Sequence, residues 1–349
     1  HHTTPSTDPF SIYGSGKPWV AYSWLFDVLV HQAYEWLGLI GWLTYVVLLN
    51  VAIALALLLA FRSINPDPAI TVGLVSACLV AMAPLMQTPR SWLFNIFFYA
   101  IELHLLHLAR RQGSFKPTWT LPALFFVWAN LHIQFIYGLF ALGLFALEPL
   151  ISRLAGSRHR LPVARNTGWV LTSCCAATLL TPSDLNLYKT LLLSIQQEGV
   201  FKYISEMQAM DFRTLSDWFT LALTLFAFFL MGRSNRPFIF YGLLITSGLF
   251  ISFRAHRDVW FIVVPCGFYI ATSLRSLSER TIRNLPVSQV LLASTITLGF
   301  SAYLIHKRDV DNIHLQQTLG KYFPVNAVTF IKQKPYPGPL FNHFNWGGF

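Results

Sequence analysis

The run GLIGWLTYVVLLNVAIALALLLAF, residues 38–61, carries no charged side chain over 24 residues. A soluble helix of that length would show a polar face, whereas crossing a bilayer takes about 20 consecutive apolar residues. This stretch commits the chain to a membrane. The composition agrees: 11% of the 349 residues are charged and 54% hydrophobic, against about 25% charged in an ordinary soluble domain. The apolar runs are continuous instead of alternating, which predicts helices and excludes barrel strands.

Ten windows qualify as spans: 38–61, 69–86, 91–109, 119–131, 134–152, 168–181, 215–232, 237–252, 258–274 and 287–305. Two of them, 119–131 and 168–181, are short for a full crossing. The expected fold is an all-α polytopic membrane protein with about ten transmembrane helices, interfacial helices and the start of a small outer α/β tail. Residues 1–37 read as an outer loop with an interfacial helix. Residues 38–305 read as the transmembrane domain, with an outer loop at 182–214, and residues 306–349 as an outer soluble tail. In that tail Val325, Val328, Phe330 and Ile331 predict a short helix, and LFNHFNWGGF a strand after the Pro-Gly turn at 337–339. The opening HHTTPSTDPF lacks the apolar core of a signal peptide, and the chain stops just after a Gly-Gly. Both ends look cut, so a longer protein is expected.

The formal charge of +10 does not point to nucleic acid, because Lys and Arg sit in short loops between spans and not on one soluble face. With residue 1 outside, the alternate loops hold Arg62; Arg110, Arg111 and Lys116; Arg153, Arg158, Arg160 and Arg165; Arg233 and Arg236; Arg275, Arg280 and Arg283. That is thirteen of 25 basic residues in five short loops. The positive-inside rule puts those loops in the cytoplasm and both ends of the chain outside.

On that topology the chemically unusual residues gather on the outer side. WLFDVLVHQAYEWLG and LYKTLLLSIQQEGVFKYI have the amphipathic pattern of helices lying in the interface. FRAHRDVW, residues 253–260, sets Arg254, His256, Arg257 and Asp258 between two apolar runs. Such a cluster is either a specific anion site, since guanidinium pairs well with phosphate oxygens, or a set of cations resting at the headgroup level. His132, with Asn130 and Gln134 beside it, breaks an apolar run and reads as a cavity wall. Glu102, with His104 and His107, lies inside a span, where a carboxylate serves a proton path or pairs with a neighbouring helix. Their spacing is not that of a zinc helix. Asp8, before Pro9, fits a turn cap. Cys78, Cys174, Cys175 and Cys266 all fall in apolar spans and read as buried small hydrophobes.

The order of DPFS, GKPWVAYSWL, TPRSWLF, WANLH, TPSDLNLY, FRAHRDVWF, FPVNAVTFIK and PGPLFNHFNWGGF resembles bacterial multi-span proteins of the GT-C glycosyltransferase superfamily, those related to protein mannosyltransferases. The resemblance runs from about residue 8 to the end and rests on the order of short motifs. It implies an enzyme of the bacterial cytoplasmic membrane that takes a sugar from a polyprenyl-phosphate carrier and passes it to an acceptor on the outer side, inverting the anomeric centre. An acidic residue of the first outer loop, here Asp8, would be the base or would ligate a divalent metal ion. Arg254 and Arg257, with His256 and Arg90, would hold the phosphate, and Tyr22, His132 and Asp258 would line the cavity. His343, Asn345 and Trp346 are candidates to contact the sugar. Relatives often carry a His where this chain has Tyr22. That departure supports the alternative of a non-catalytic accessory subunit held among partner membrane proteins. A transporter ranks third, for lack of an internal repeat. The implied partners are membrane lipids, the polyprenyl-phosphate sugar donor and an unidentified acceptor, with no nucleic acid.

Overall fold

The computed structural model describes residues 5, 7–8, 16–154, 164–196, 204–234, 239–278 and 311–334. The chain divides into two compact units. The larger holds Val20–Asp27 and Val46–Asn284, and the smaller holds His1–Trp19, Val28–Tyr45 and Leu285–Phe349.

The helices in chain order are α1 (Trp24–Leu37), α2 (Leu39–Ile64), α3 (Pro68–Ala81), α4 (Ala83–Met86), α5 (Trp92–Gln112), α6 (Leu121–Leu131), α7 (Phe135–Leu154), α8 (Ala164–Thr178), α9 (Asn186–Gln196), α10 (Leu215–Arg233), α11 (Ile239–Arg254), α12 (Trp260–Ser278), α13 (Asn312–Tyr322) and α14 (Val325–Gln333). The chain is a polytopic membrane protein. Among the described residues five helical stretches are long and apolar enough to cross a bilayer: α2, α5, Phe135–Ser152 of α7, α10, and His256–Arg275 around α12.

The expectation of about ten spans is therefore corrected to five among the described residues. Hydropathy along a window does not register where a helix stops. The window 69–86 is divided at Met82, just before Pro84, into the 14-residue α3 and the four-residue α4. The window 119–131 supplies only the 11-residue α6, which ends where His132 turns extended (φ −162°, ψ 144°). Windows 168–181 and 237–252 give helices of 15 and 16 residues, and 287–305 lies outside the described residues. The α/β tail is also corrected. Among the described residues there is no strand, and the only β-type pairing is an isolated bridge between Thr7 and Pro18. Residues 312–333 form two helices instead, the first started by Asp311, whose carboxylate accepts the His314 N–H at 2.7 Å. The strand expected in LFNHFNWGGF lies outside the described residues, as do His343, Asn345 and Trp346.

In the larger unit α12 is central: 78% of its span is buried, against 28% for α2 at the periphery. Trp260, Phe261, Ile262, Val264, Cys266 and Phe268 have no exposed surface. Aromatic rings fix the neighbours of α12, with Tyr99 edge-on to Trp260 (centroids 5.2 Å), Tyr137 tilted on Phe261 (5.0 Å) and Phe61 edge-on to Phe268 (5.3 Å).

Hydrogen bonds sort the helix ends into two sets. One set joins the starts of α5, α7, α10 and α12 to the ends of α6 and α11, through the residues of the site described below. The opposite set joins the ends of α2, α5, α7 and α12 to the start of α11. There Arg111 donates to the Ser63 carbonyl (2.8 Å), Asn65 to the Ala271 carbonyl (3.3 Å), and the Phe240 N–H to Glu148 (3.0 Å). Arg110 pairs with Glu148 at the same end, its guanidinium 5.7 Å from the centroids of both Phe145 and Phe240. Midway along α5, Glu102 is fully buried. Neither of its carboxyl oxygens has a hydrogen-bond partner among the described residues. It is accommodated because position 138 on α7 is Gly: a methyl there would lie 2.6 Å from Glu102 Oε2 and from Trp128 Cζ3.

In the smaller unit, α1 stops at Gly38 (φ +64°), the left-handed turn that glycine favours. Asn312 spans that turn, accepting the Ile40 N–H (3.1 Å) and donating to the Leu37 carbonyl (3.0 Å). No residue of α1 is buried, and Trp36 is 76% exposed. In the larger unit, Leu192 and Leu193 on α9 are exposed as well. Both helices leave large apolar side chains exposed within the stretches that suggested interfacial helices, and residues 197–203 of the second stretch lie outside the described residues.

Candidate functional site

The FRAHRD residues form the hinge of a helical hairpin. α11 ends at Arg254, a single 3-10 turn covers His256–Asp258, and α12 starts at Trp260. Asp258 is 3% exposed, so it must be paired. Gln134 Nε2 donates to its Oδ1 at 2.6 Å and the Tyr137 hydroxyl to its Oδ2 at 2.8 Å. Its backbone carbonyl accepts from Ser252 Oγ at 2.8 Å, closing the hairpin on itself. Arg257 Nε lies 3.7 Å from the same carboxylate and keeps a quarter of its side chain exposed. Arg254, at the last helical residue, is exposed.

The network continues inward. Gln134 Oε1 accepts from Asn95 Nδ2 at 2.5 Å, and the same Asn95 nitrogen lies 3.0 Å from His132 Nδ1. Asn95 Oδ1 accepts from Trp128 Nε1 at 2.8 Å. With Asn95 donating to Nδ1, the neutral His132 ring carries its proton on Nε2. Tyr22 stands edge-on to His132, ring centroids 6.1 Å apart. Two residues on, Trp24 Nε1 donates to Asn130 Oδ1 at 2.9 Å, while Asn130 Nδ2 reaches the Phe126 and Leu180 carbonyls. Asp27 in the first turn of α1, though exposed at the surface, has its carboxyl pushed up from the ordinary value by partial desolvation.

A second anchor holds the other side of the turn. Asp217 closes a capping box at the start of α10, its Oδ2 accepting the Thr214 N–H at 3.2 Å and the Thr214 side chain accepting the Asp217 N–H at 3.3 Å. Its Oδ1 sits 2.9 Å from His256 Nε2. The Asp217 side chain is 1% exposed and the His256 side chain 29%. The His256 N–H donates to the Gln208 carbonyl at 2.9 Å and the Met210 N–H to the Phe253 carbonyl at 3.1 Å, and the Phe212 ring stands edge-on to Phe253 (5.4 Å), so the 204–214 segment is tied to the turn.

Of the residues singled out from sequence, the fold brings His132, Tyr22, Asp258, Arg257 and His256 into one connected region. Arg90 lies just before α5, its guanidinium over the Trp92 ring at 5.7 Å. Asp8 belongs to the smaller unit, where its N–H donates to the Lys17 carbonyl at 3.0 Å. Sequence reading missed Asn95, Trp128, Tyr137, Asp217 and Ser252. Only Asp217 had a legible signal, since Thr214 and Asp217 have capping-box spacing.

A partly exposed guanidinium and imidazole, each backed by a buried carboxylate, can bind an anion without first reorganising. Among the described residues no group of three or more His, Cys, Asp and Glu side chains could hold a metal ion. Compared with known proteins, the chain matches no family model and no curated protein.

Proposed function

We propose that this membrane protein binds the phosphate of a polyprenyl-phosphate sugar at the FRAHRD turn, on the outer face of a bacterial cytoplasmic membrane, and passes the sugar to an acceptor. The observation that carries the reading is the turn itself: it sets Arg257, 3.7 Å from the buried Asp258 carboxylate, in the same short segment as the exposed Arg254. Cations presented this way suit the charge that develops on a departing phosphate. The orientation draws on the basic residues at the opposite helix ends, Arg62, Arg110, Arg111, Lys116, Arg233 and Arg275, which the positive-inside rule assigns to the cytoplasm. The sugar-transfer part draws on the resemblance to GT-C glycosyltransferases.

The test is native mass spectrometry of the gently extracted protein with added polyprenyl phosphate, comparing wild type with Arg254→Ala/Arg257→Ala. Binding to wild type that is lost in the double variant supports the reading. Equal binding, or ordinary phospholipid alone, overturns it. A second reading, a non-catalytic accessory subunit, is favoured by Tyr22, which occupies the position against His132 where relatives often carry a His. It predicts a stable partner protein copurifying with unchanged lipid.

A further inference from the structure

The resemblance assigns removal of the acceptor's proton to an acidic residue of the first outer loop, Asp8. The geometry points to a different group: we propose that His256, backed by Asp217, is the general base of the transfer. This inference rests on the function proposed above and adds a catalytic residue to it.

Three observations carry it. His256 Nε2 is 2.9 Å from Asp217 Oδ1, so a carboxylate is in place to stabilise the imidazolium that forms when the ring takes a proton. Asp217 is held rigidly for that purpose, because its other oxygen is engaged by the Thr214 N–H and its backbone is the third residue of a capped helix. The imidazole keeps 29% of its side chain exposed, and the nitrogen facing Asp217 is Nε2, which leaves Nδ1 on the other edge of the ring. A buried carboxylate 2.9 Å from a partly exposed imidazole has the spacing of a base–orienter pair. The neighbouring residue in the same 3-10 turn is Arg257, the proposed phosphate ligand.

The other carboxylates of the region are less suited. Asp258 is occupied by Gln134, Tyr137 and Arg257 and is 3% exposed. A base in that position would have to break three contacts to reach a substrate.

The step balances as follows. The acceptor O–H bond breaks and its proton passes to His256 Nδ1, leaving an imidazolium against Asp217. The freed electron pair on the acceptor oxygen forms the new bond to the anomeric carbon. The bond between that carbon and the phosphate oxygen breaks, and its electron pair leaves with the polyprenyl phosphate beside Arg254 and Arg257. A positioned base of this kind contributes about 10²- to 10⁴-fold.

The test uses the full chain in lipid nanodiscs with synthetic polyprenyl-phosphate hexoses as donor probes and a small alcohol as acceptor. Polyprenyl-phosphate binding is measured in parallel by native mass spectrometry. His256→Gln is expected to lower kcat by roughly 10²-fold or more with the donor KM nearly unchanged. Asp217→Asn, which keeps the capping oxygen, is expected to lower kcat by a smaller factor. Added imidazole should restore turnover to His256→Ala but not to Arg257→Ala, a rescue that a merely structural role would not show. A His256→Gln protein with wild-type kcat, or one with raised KM and normal kcat, makes His256 a phosphate ligand only and overturns the inference. Wild type that binds polyprenyl phosphate but turns over no probe also overturns it while leaving the lipid site intact. Wild type that binds no polyprenyl phosphate overturns the proposed function itself.

Discussion

Replacing Asp258 tests whether the buried network, and not the surface arginines, holds the hairpin turn. In Asp258→Ala the Gln134 amide loses its 2.6 Å acceptor and the Tyr137 hydroxyl its 2.8 Å acceptor. A buried donor left unsatisfied costs about 1–3 kcal/mol. Gln134 is buried and takes the upper part of that range, whereas Tyr137 is half-buried and takes the lower. The Arg257 contact is 3.7 Å long with a quarter of the arginine in solvent, so its loss adds about 0–1 kcal/mol. The whole comes to roughly 3–5 kcal/mol. Asp258→Asn keeps one acceptor oxygen for Gln134, and its new NH2 group can donate to a turned Tyr137 hydroxyl, so it should cost only about 1–2 kcal/mol. The two variants should therefore differ by about 2 kcal/mol, roughly thirtyfold in the folded-to-unfolded ratio. Reversible unfolding in mixed micelles, followed by tryptophan fluorescence, measures the difference. Equal destabilisation by Ala and Asn would refute the reasoning, because the hydrogen bonds would then contribute nothing beyond the carboxylate's charge.

Glu102 gives the opposite sign: both its oxygens are buried without a hydrogen-bond partner among the described residues, so Glu102→Leu should raise stability by about 1–3 kcal/mol in the same assay. A loss on that substitution would show that the carboxyl has a partner worth keeping. Asp311 supplies a pH dependence, since the His314 N–H holds its carboxyl below the ordinary value. A depressed folded-state value means that the stabilisation of α13 is complete above the unfolded value of about 3.9 and is lost as pH falls through the lower folded one. Hydrogen exchange over 312–322 should thus show acid-dependent loosening in wild type and none in Asp311→Asn, and identical profiles would sink the idea.

What the sequence made legible is what depends on neighbours along the chain. The uncharged run at 38–61 became α2 because nothing in it stops a helix. The failures share a cause. Averaging hydropathy over 69–86 counts apolar side chains on both sides of a stop, so Met82 was absorbed into a span it ends. His132 was noticed as a polar break, but its partners were not. Asn95 and Trp128 each sit alone in an apolar run, and the bonds that give them meaning join residues 33 and 37 positions apart, while Gln134 reaches Asp258 across 124. No local pattern marks a residue whose role is to satisfy another helix. Arg254, His256 and Arg257 stood out because they are contiguous, whereas Asp217, which fixes one of them, lies some forty residues away.

The hairpin of α11 and α12 also bears on how the protein is made. The two helices are joined by only five residues, and the link closes on itself through Ser252 and the Asp258 carbonyl. On the proposed orientation, biosynthesis must move that link, with Arg254, His256 and Arg257, across the hydrocarbon. Each arginine costs about 2.5–3.5 kcal/mol at the bilayer centre on the insertion scale. A 16-residue α11 is a poor anchor for such a load alone. The economical route is entry of both helices as one unit, with Asp258 travelling beside Arg257 so that part of the charge crosses already compensated. The segment that presents cations to a lipid phosphate would then also make α11 dependent on the completion of α12, setting the point in synthesis before which this region cannot be stably inserted.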